Sequence, residues 1–151
     1  MPFIYPNPKR LECRGIKTFY GMEGQGFNAT VYADGKKALT VIDDASGGPL
    51  MIEPIGEFGK KIAAEIVALC QTIPPTKFDD IDLKVSPDLY FDELVNFALE
   101  ERRMAKARAK GTLFRLKDDK PSIAFRTVTV KDKDAAIKFL DGKFPNNYVL
   151  L

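Results

Sequence analysis

The chain has 151 residues, 45% of them hydrophobic and 29% charged, with a formal net charge of +2. That size and balance suit one ordinary globular domain, its apolar runs are too short to span a bilayer, and its charge is too low for a dedicated non-specific coat on DNA. Histidine is absent, which removes the usual general base near neutral pH, the commonest transition-metal ligand and any Ser-His-Asp or Cys-His pair.

Residues 1–10 are spaced by Pro2, Pro6 and Pro8 and are expected to be an extended N-terminal arm, because proline lacks a donor and biases its predecessor away from helix. Phe3, Ile4 and Tyr5 are costly to leave in water, so the arm packs either on its own domain or on a partner. The segment lacks the basic start and long apolar stretch of a signal peptide, and the expected compartment is the cytoplasm, with no membrane association. Cys13 and Cys70 match no paired metal-ligand spacing and are read as reduced thiols, packed in the core.

A short strand is expected over residues 15–20, followed by the glycine-rich Gly21-Met22-Glu23-Gly24-Gln25-Gly26. Residues 27–33 and 37–43 flank Asp34-Gly35, a hairpin signal. Asp43-Asp44-Ala45-Ser46-Gly47-Gly48 reads as a turn, and residues 50–53 as a further strand before Pro54. Over residues 57–72, Phe58, Ile62, Ile66, Leu69 and Cys70 recur at helical spacing, and the helix must end before Pro74-Pro75. Residues 76–85 look like an acidic connector. Ser86-Pro87 then starts a longer helix, 88–110, that stops at Gly111.

Residues 112–117 and 122–130 alternate around Asp118-Asp119-Lys120-Pro121, which predicts a second hairpin. With that turn, Arg115 lies beside Ala124 and Arg126 beside Leu113. Phe114, Leu116, Ile123 and Phe125 then share a core face, and Arg115, Lys117, Ser122, Ala124 and Arg126 a wet one. Residues 132–143 predict a third helix with Ala136, Phe139 and Leu140 inward, and residues 148–151 an edge strand. The expected fold is one α+β domain over residues 1–151, an antiparallel sheet built from two hairpins with two or three helices on one face. Tight hairpins argue against a doubly wound parallel sheet and its dinucleotide site.

Four features bear on chemistry. The bare amides of the Gly21, Gly24 and Gly26 loop suit an anion, but the spacing is neither a dinucleotide fingerprint nor a P-loop, and a plain glycine-rich turn between strands is the favoured account. Asp43 and Asp44, with Glu23 or Glu53 nearby, are oxygen ligands for Mg²⁺ or Ca²⁺ and would support a metal-dependent enzyme; turn-forming aspartates are the competing account. Phe19, Tyr20, Phe27 and Tyr32 cluster around the glycine loop as core or as stacking surface. Finally, Arg102, Arg103, Lys106 and Lys110 fall within roughly 100° of one another on the long helix. From Arg102 to Lys117 there are seven basic residues and no acid. A helix dipole accounts for bases at a helix end but not for Arg115, Lys117 and Arg126 on the following hairpin. These seven residues, Arg102, Arg103, Lys106, Lys110, Arg115, Lys117 and Arg126, are the candidate binding surface, expected to be exposed and to form one positive patch. No catalytic residue, resident metal or cofactor is expected.

The stretch Ile16-Lys17-Thr18-Phe19-Tyr20-Gly21-Met22-Glu23-Gly24-Gln25-Gly26-Phe27-Asn28-Ala29-Thr30-Val31-Tyr32 leading into Val41-Ile42-Asp43-Asp44-Ala45-Ser46-Gly47-Gly48, with Thr112-Leu113-Phe114-Arg115-Leu116-Lys117, Phe125-Arg126-Thr127 and Lys143-Phe144 near the end, resembles small uncharacterised proteins of tailed bacteriophages and prophages. The resemblance carries over no site residue. It implies a phage accessory gene, of a kind whose small products bind and inhibit a host component or manage nucleic acid. Together with the missing histidine and the small domain, this gives as the leading expectation a non-enzymatic phage or mobile-element accessory protein that binds and modulates a host protein, a defence factor being one such target. The alternative is a nucleic-acid or nucleotide-phosphate binder that uses the basic helix-hairpin surface.

Overall fold

A computed structural model describes residues 3–151, apart from the side chain of Phe78; Met1 and Pro2 of the expected arm lie outside the described residues. Asp34 and Gly35 take positive φ, 50° and 81°, the pair of left-handed residues that a two-residue hairpin loop needs to match strand twist. They join β2 (Gly24–Ala33) to β3 (Lys36–Asp43), the hairpin expected from the sequence. β1 (Glu12–Gly21) pairs with the other edge of β2, and β4 (Met51–Pro54) closes the order β1-β2-β3-β4, antiparallel throughout. Val31 lies opposite Leu39 and Ala29 opposite Val41, so the apolar positions of both strands share one buried face.

The chain forms two compact units, Met1–Leu99 and Glu100–Leu151. In the first, α1 (Gly56–Thr72) packs on β3 and β4 through Ile62, Ile66 and Cys70, the predicted stripe. A methyl group at Gly59 would stand 2.2 Å from the Ala38 carbonyl oxygen, so only a glycine lets the helix come this close to the sheet. The expected acidic connector is instead a small hairpin of β5 (Thr76–Phe78) and β6 (Ile81–Leu83). Its turn places Asp79 and Asp80 at φ 44° and 68°, a conformation that aspartate tolerates without the glycine that would have announced it.

α2 (Pro87–Lys110) begins in the first unit and ends in the second. Ser86 Oγ accepts the Leu89 amide at 3.2 Å, the cap that Ser86-Pro87 predicts. Tyr90, Phe91, Leu94 and Val95 enter the first unit's core. The Tyr90 ring stacks on Tyr5 at 5.7 Å and its hydroxyl donates to the Pro6 carbonyl at 2.7 Å, so the arm packs on its own chain.

In the second unit β7 (Thr112–Leu116) is the central strand of the order β8-β7-β9, with β8 (Arg126–Val128) and β9 (Tyr148–Leu150) at its edges. α3 (Lys133–Lys143) starts where the Asp132 carboxylate accepts the Ala135 amide. Met104, Leu113, Phe114, Ala136 and Leu140 are the buried apolar residues here. Phe139, expected inward, is 48% exposed and lies under the Lys143 ammonium at 5.7 Å; with Ala136 and Leu140 one turn apart filling the stripe, it falls at the edge. The fold is α+β with antiparallel pairing, as expected, and the two predicted hairpins belong to separate sheets. No helix among the described residues is long and apolar enough to cross a membrane.

Candidate functional site

The second hairpin departs from its expected register by one residue. Arg126 lies opposite Phe114 and Thr127 opposite Leu113, whereas a turn of four residues would have put Arg126 beside Leu113. The expected strand over residues 122–130 is shortened to Arg126–Val128. Pro121 cannot donate to a ladder, and Asp119 organises the preceding chain into turns instead. Its carboxylate accepts the Leu116 amide at 2.8 Å and takes two bonds from Arg126, Nε at 3.0 Å and Nη2 at 2.6 Å. That bidentate bond holds the Asp119 carboxyl below its ordinary value. The backbone continues in turns from Asp119 to Leu116 and from Ile123 to Lys120.

A one-residue slip exchanges the faces of a strand. The side that carries Thr127 now also carries Phe125 and Thr129, by alternation, while Arg126 points to the other side and spends its charge on Asp119. Phe125, Thr127 and Thr129 face the end of α2, and with Arg103, Lys106, Ala107 and Lys110 they line a groove of about 510 Å³ within the second unit. Gly111 permits this approach: a methyl group there would stand 2.1 Å from the Val128 carbonyl oxygen.

The electrostatics of the groove are one-sided. Arg103 sits over the Phe125 ring at 5.0 Å and makes an exposed pair with Glu100 at 3.3 Å, a weak interaction in water. Among the described residues neither Lys106 nor Lys110 has an acidic partner, and both are exposed. The Thr127 and Thr129 hydroxyls add neutral donors to the wall.

Of the seven candidate residues, the structure brings Arg103, Lys106 and Lys110 into the groove. Arg102 is exposed on the same helix without lining it. Arg126 is exposed but neutralised by Asp119, half-buried Arg115 donates to the Lys120 carbonyl at 3.3 Å, and Lys117 is exposed beyond the end of β7. Arg115 and Arg126 do not share a face, contrary to the expected register. Phe125, Thr127 and Thr129 were missed as site residues. Their two-residue alternation is visible in the sequence, but the four-residue turn assigned Phe125 to the core.

The other candidates resolve into local structure. The glycine-rich segment is a tight β1–β2 turn, with Gly21 paired to Gly24 and Gly24 at φ 103°. The Glu23 amide donates to the Ala45 carbonyl at 2.9 Å. Asp43 accepts the Ala45 amide at 2.9 Å, and Asp44 accepts the Ser46 amide and hydroxyl, bonds that hold its carboxyl below the ordinary value. Both are turn-forming aspartates. Asp43 also lines a second depression, about 410 Å³, with Asp88 and Asp92. There burial, and then the charge of Asp43, raises the Asp92 carboxyl, and Asp88 is spent on the Leu50 amide at 3.0 Å. Among the described residues no three His, Cys, Asp or Glu side chains come together as a metal-binding group. Burial pushes the half-buried Cys13 thiol up to about 12 and raises Cys70, so neither is an activated thiolate.

Compared with protein-family models, with curated proteins and with solved structures, the chain matches none of them.

Proposed function

We propose that this protein binds nucleic acid or nucleotide phosphate in the cytoplasm, through the groove between the end of α2 and the segment that carries Phe125, Thr127 and Thr129. One observation carries the reading: Arg103, Lys106 and Lys110 line a single groove with an aromatic ring and two hydroxyls, and two of the three cations have no acidic partner among the described residues. Cations in a row concentrate phosphate, and displaced counterions drive binding. Fluorescence anisotropy of labelled oligonucleotides across a salt series tests it. With three cations engaged, log affinity should fall against log salt with a slope of about −2 on a single strand. The double substitution Lys106→Gln/Lys110→Gln should flatten that slope by about 1.4. An unchanged slope, or no binding at low salt, overturns the assignment.

A second reading, a phage accessory protein that occupies a host protein, is favoured by a different observation. Tyr20 and Met22 stand 86% and 97% exposed at the β1–β2 turn, beside a partly exposed Phe19, and clustered exposed apolar side chains mark interaction sites. Capture from bacterial lysate at physiological salt, lost on Tyr20→Ser/Met22→Ser, would support it; equal capture by both forms would remove the turn from consideration.

A further inference from the structure

Three geometric features of the groove narrow its ligand, given the phosphate-binding reading above. The first is the spacing of the cations. Arg103, Lys106 and Lys110 follow one another along α2 over about 10 Å at 1.5 Å per residue. They do not converge on a point, as a site for one phosphate group requires. A row of this kind suits successive phosphates of a chain.

The second is the shape of the site. The groove is open to solvent along α2, and no glycine-rich phosphate loop lines it. Small-molecule sites enclose most of their ligand's surface, which this surface does not. The third is Phe125, a half-buried ring in the groove wall beside the cations. An aromatic in this position gains from a base only where the face of the base is available. In a duplex those faces are stacked on one another, and the grooves present base edges. In a single strand every base offers a face.

We infer that the groove takes single-stranded nucleic acid, with phosphates along Arg103, Lys106 and Lys110 and one base stacked on Phe125. Arg103, which covers the ring at 5.0 Å in the free protein, gives up that position to the base and turns to the neighbouring phosphate. Thr127 and Thr129 supply donors to the backbone. Recognition is tolerant of sequence, because stacking and phosphate contacts carry no base code.

The chain contains no tryptophan, so Phe125→Trp introduces a single tryptophan at the stacking position, which can be excited selectively over the five tyrosines. Titration of that variant with an oligothymidylate should quench its emission; inorganic polyphosphate, which has charge but no bases, should not. On the wild-type chain, single strands should outcompete a duplex of equal length and polyphosphate of equal charge. Phe125→Leu, which keeps an apolar side chain, should cost about five- to hundredfold in single-strand affinity and leave polyphosphate affinity unchanged. If duplex and polyphosphate bind as tightly as the single strand in the wild-type competition, this inference fails while the phosphate-binding reading stands. If nothing anionic binds at low salt, both fail. The competition needs no substitution, so a variant that does not fold leaves the test decisive.

Discussion

The two units of this chain solve the problem of burial differently. In the first, a four-stranded sheet, α1, the first half of α2 and the N-terminal arm close over one continuous core that includes Tyr5, Val31, Leu39, Ile66, Tyr90 and Leu94. Asp43 and Asp44 there are taken up by their own turns, and Asp88 by the distant Leu50 amide. The second unit covers a three-stranded sheet with Met104, Leu113, Phe114, Ala136 and Leu140 as its buried apolar residues, and leaves a cationic ridge and a phenylalanine on an open groove. Both units use ion pairs, a helix cap and a close-packed glycine; what separates them is the size of the core, and the binding surface proposed above lies on the unit with the smaller one.

The contrast is sharpest for core truncation. Leu140→Ala should cost about 2–5 kcal/mol, comparable with the whole stability, on the order of 3–8 kcal/mol, of a unit of about fifty residues. Hydrogen exchange should then show the β7 amides losing protection while those of β2 and β3 keep theirs. Equal loss in both would break the comparison.

Gly111→Ala comes next. Its new methyl would meet the Val128 carbonyl, backbone against backbone, with no flexible side chain to yield. A cost of about 1–3 kcal/mol is expected, with weakened oligonucleotide binding because β8 is displaced from α2. Denaturant unfolding together with anisotropy measures both; normal stability would show that the close approach is relaxed in solution.

Tyr90→Phe removes only the bond to the Pro6 carbonyl. It should cost about 0.5–1.5 kcal/mol, read from the urea midpoint, and leave the groove's affinity unaltered. A change in affinity would contradict the assignment of function to the second unit alone.

The smallest effect concerns Asp119. Because Arg126 holds its carboxyl below the ordinary 3.8, the pair stabilises the fold fully above that value and loses its contribution as pH falls through the lower folded value. Protection of the Leu116 amide, measured against its intrinsic exchange rate at each pH, should therefore fall on acidification below about pH 4. Asp119→Asn should already show the lower protection at neutral pH, with the acid-dependent step gone. Identical acid profiles for the two proteins would mean that the loop is held by its backbone turns alone.

How much of this was legible in the chain varies with the range of the forces involved. Asp34-Gly35, Ser86-Pro87, the Ile62-Ile66-Cys70 stripe and the run of bases from Arg102 act within a turn or two of backbone, and sequence alone determined the elements they specify, including the exposed basic ridge. The β5–β6 hairpin was hidden because two aspartates took left-handed positions that glycine usually marks. Only the tertiary structure decided the register of β8. Asp119 lies seven residues from Arg126 in sequence, and its bidentate bond with Arg126 competes with the alternation that would have placed a turn at Asp118 to Pro121. One residue of slip sent Arg126 to its acid and Phe125 to the groove, since side chains alternate with a period of two. The cations of the candidate site were therefore written in the sequence, whereas the position of Phe125 beside them followed from the register of β8, which only the tertiary structure decided.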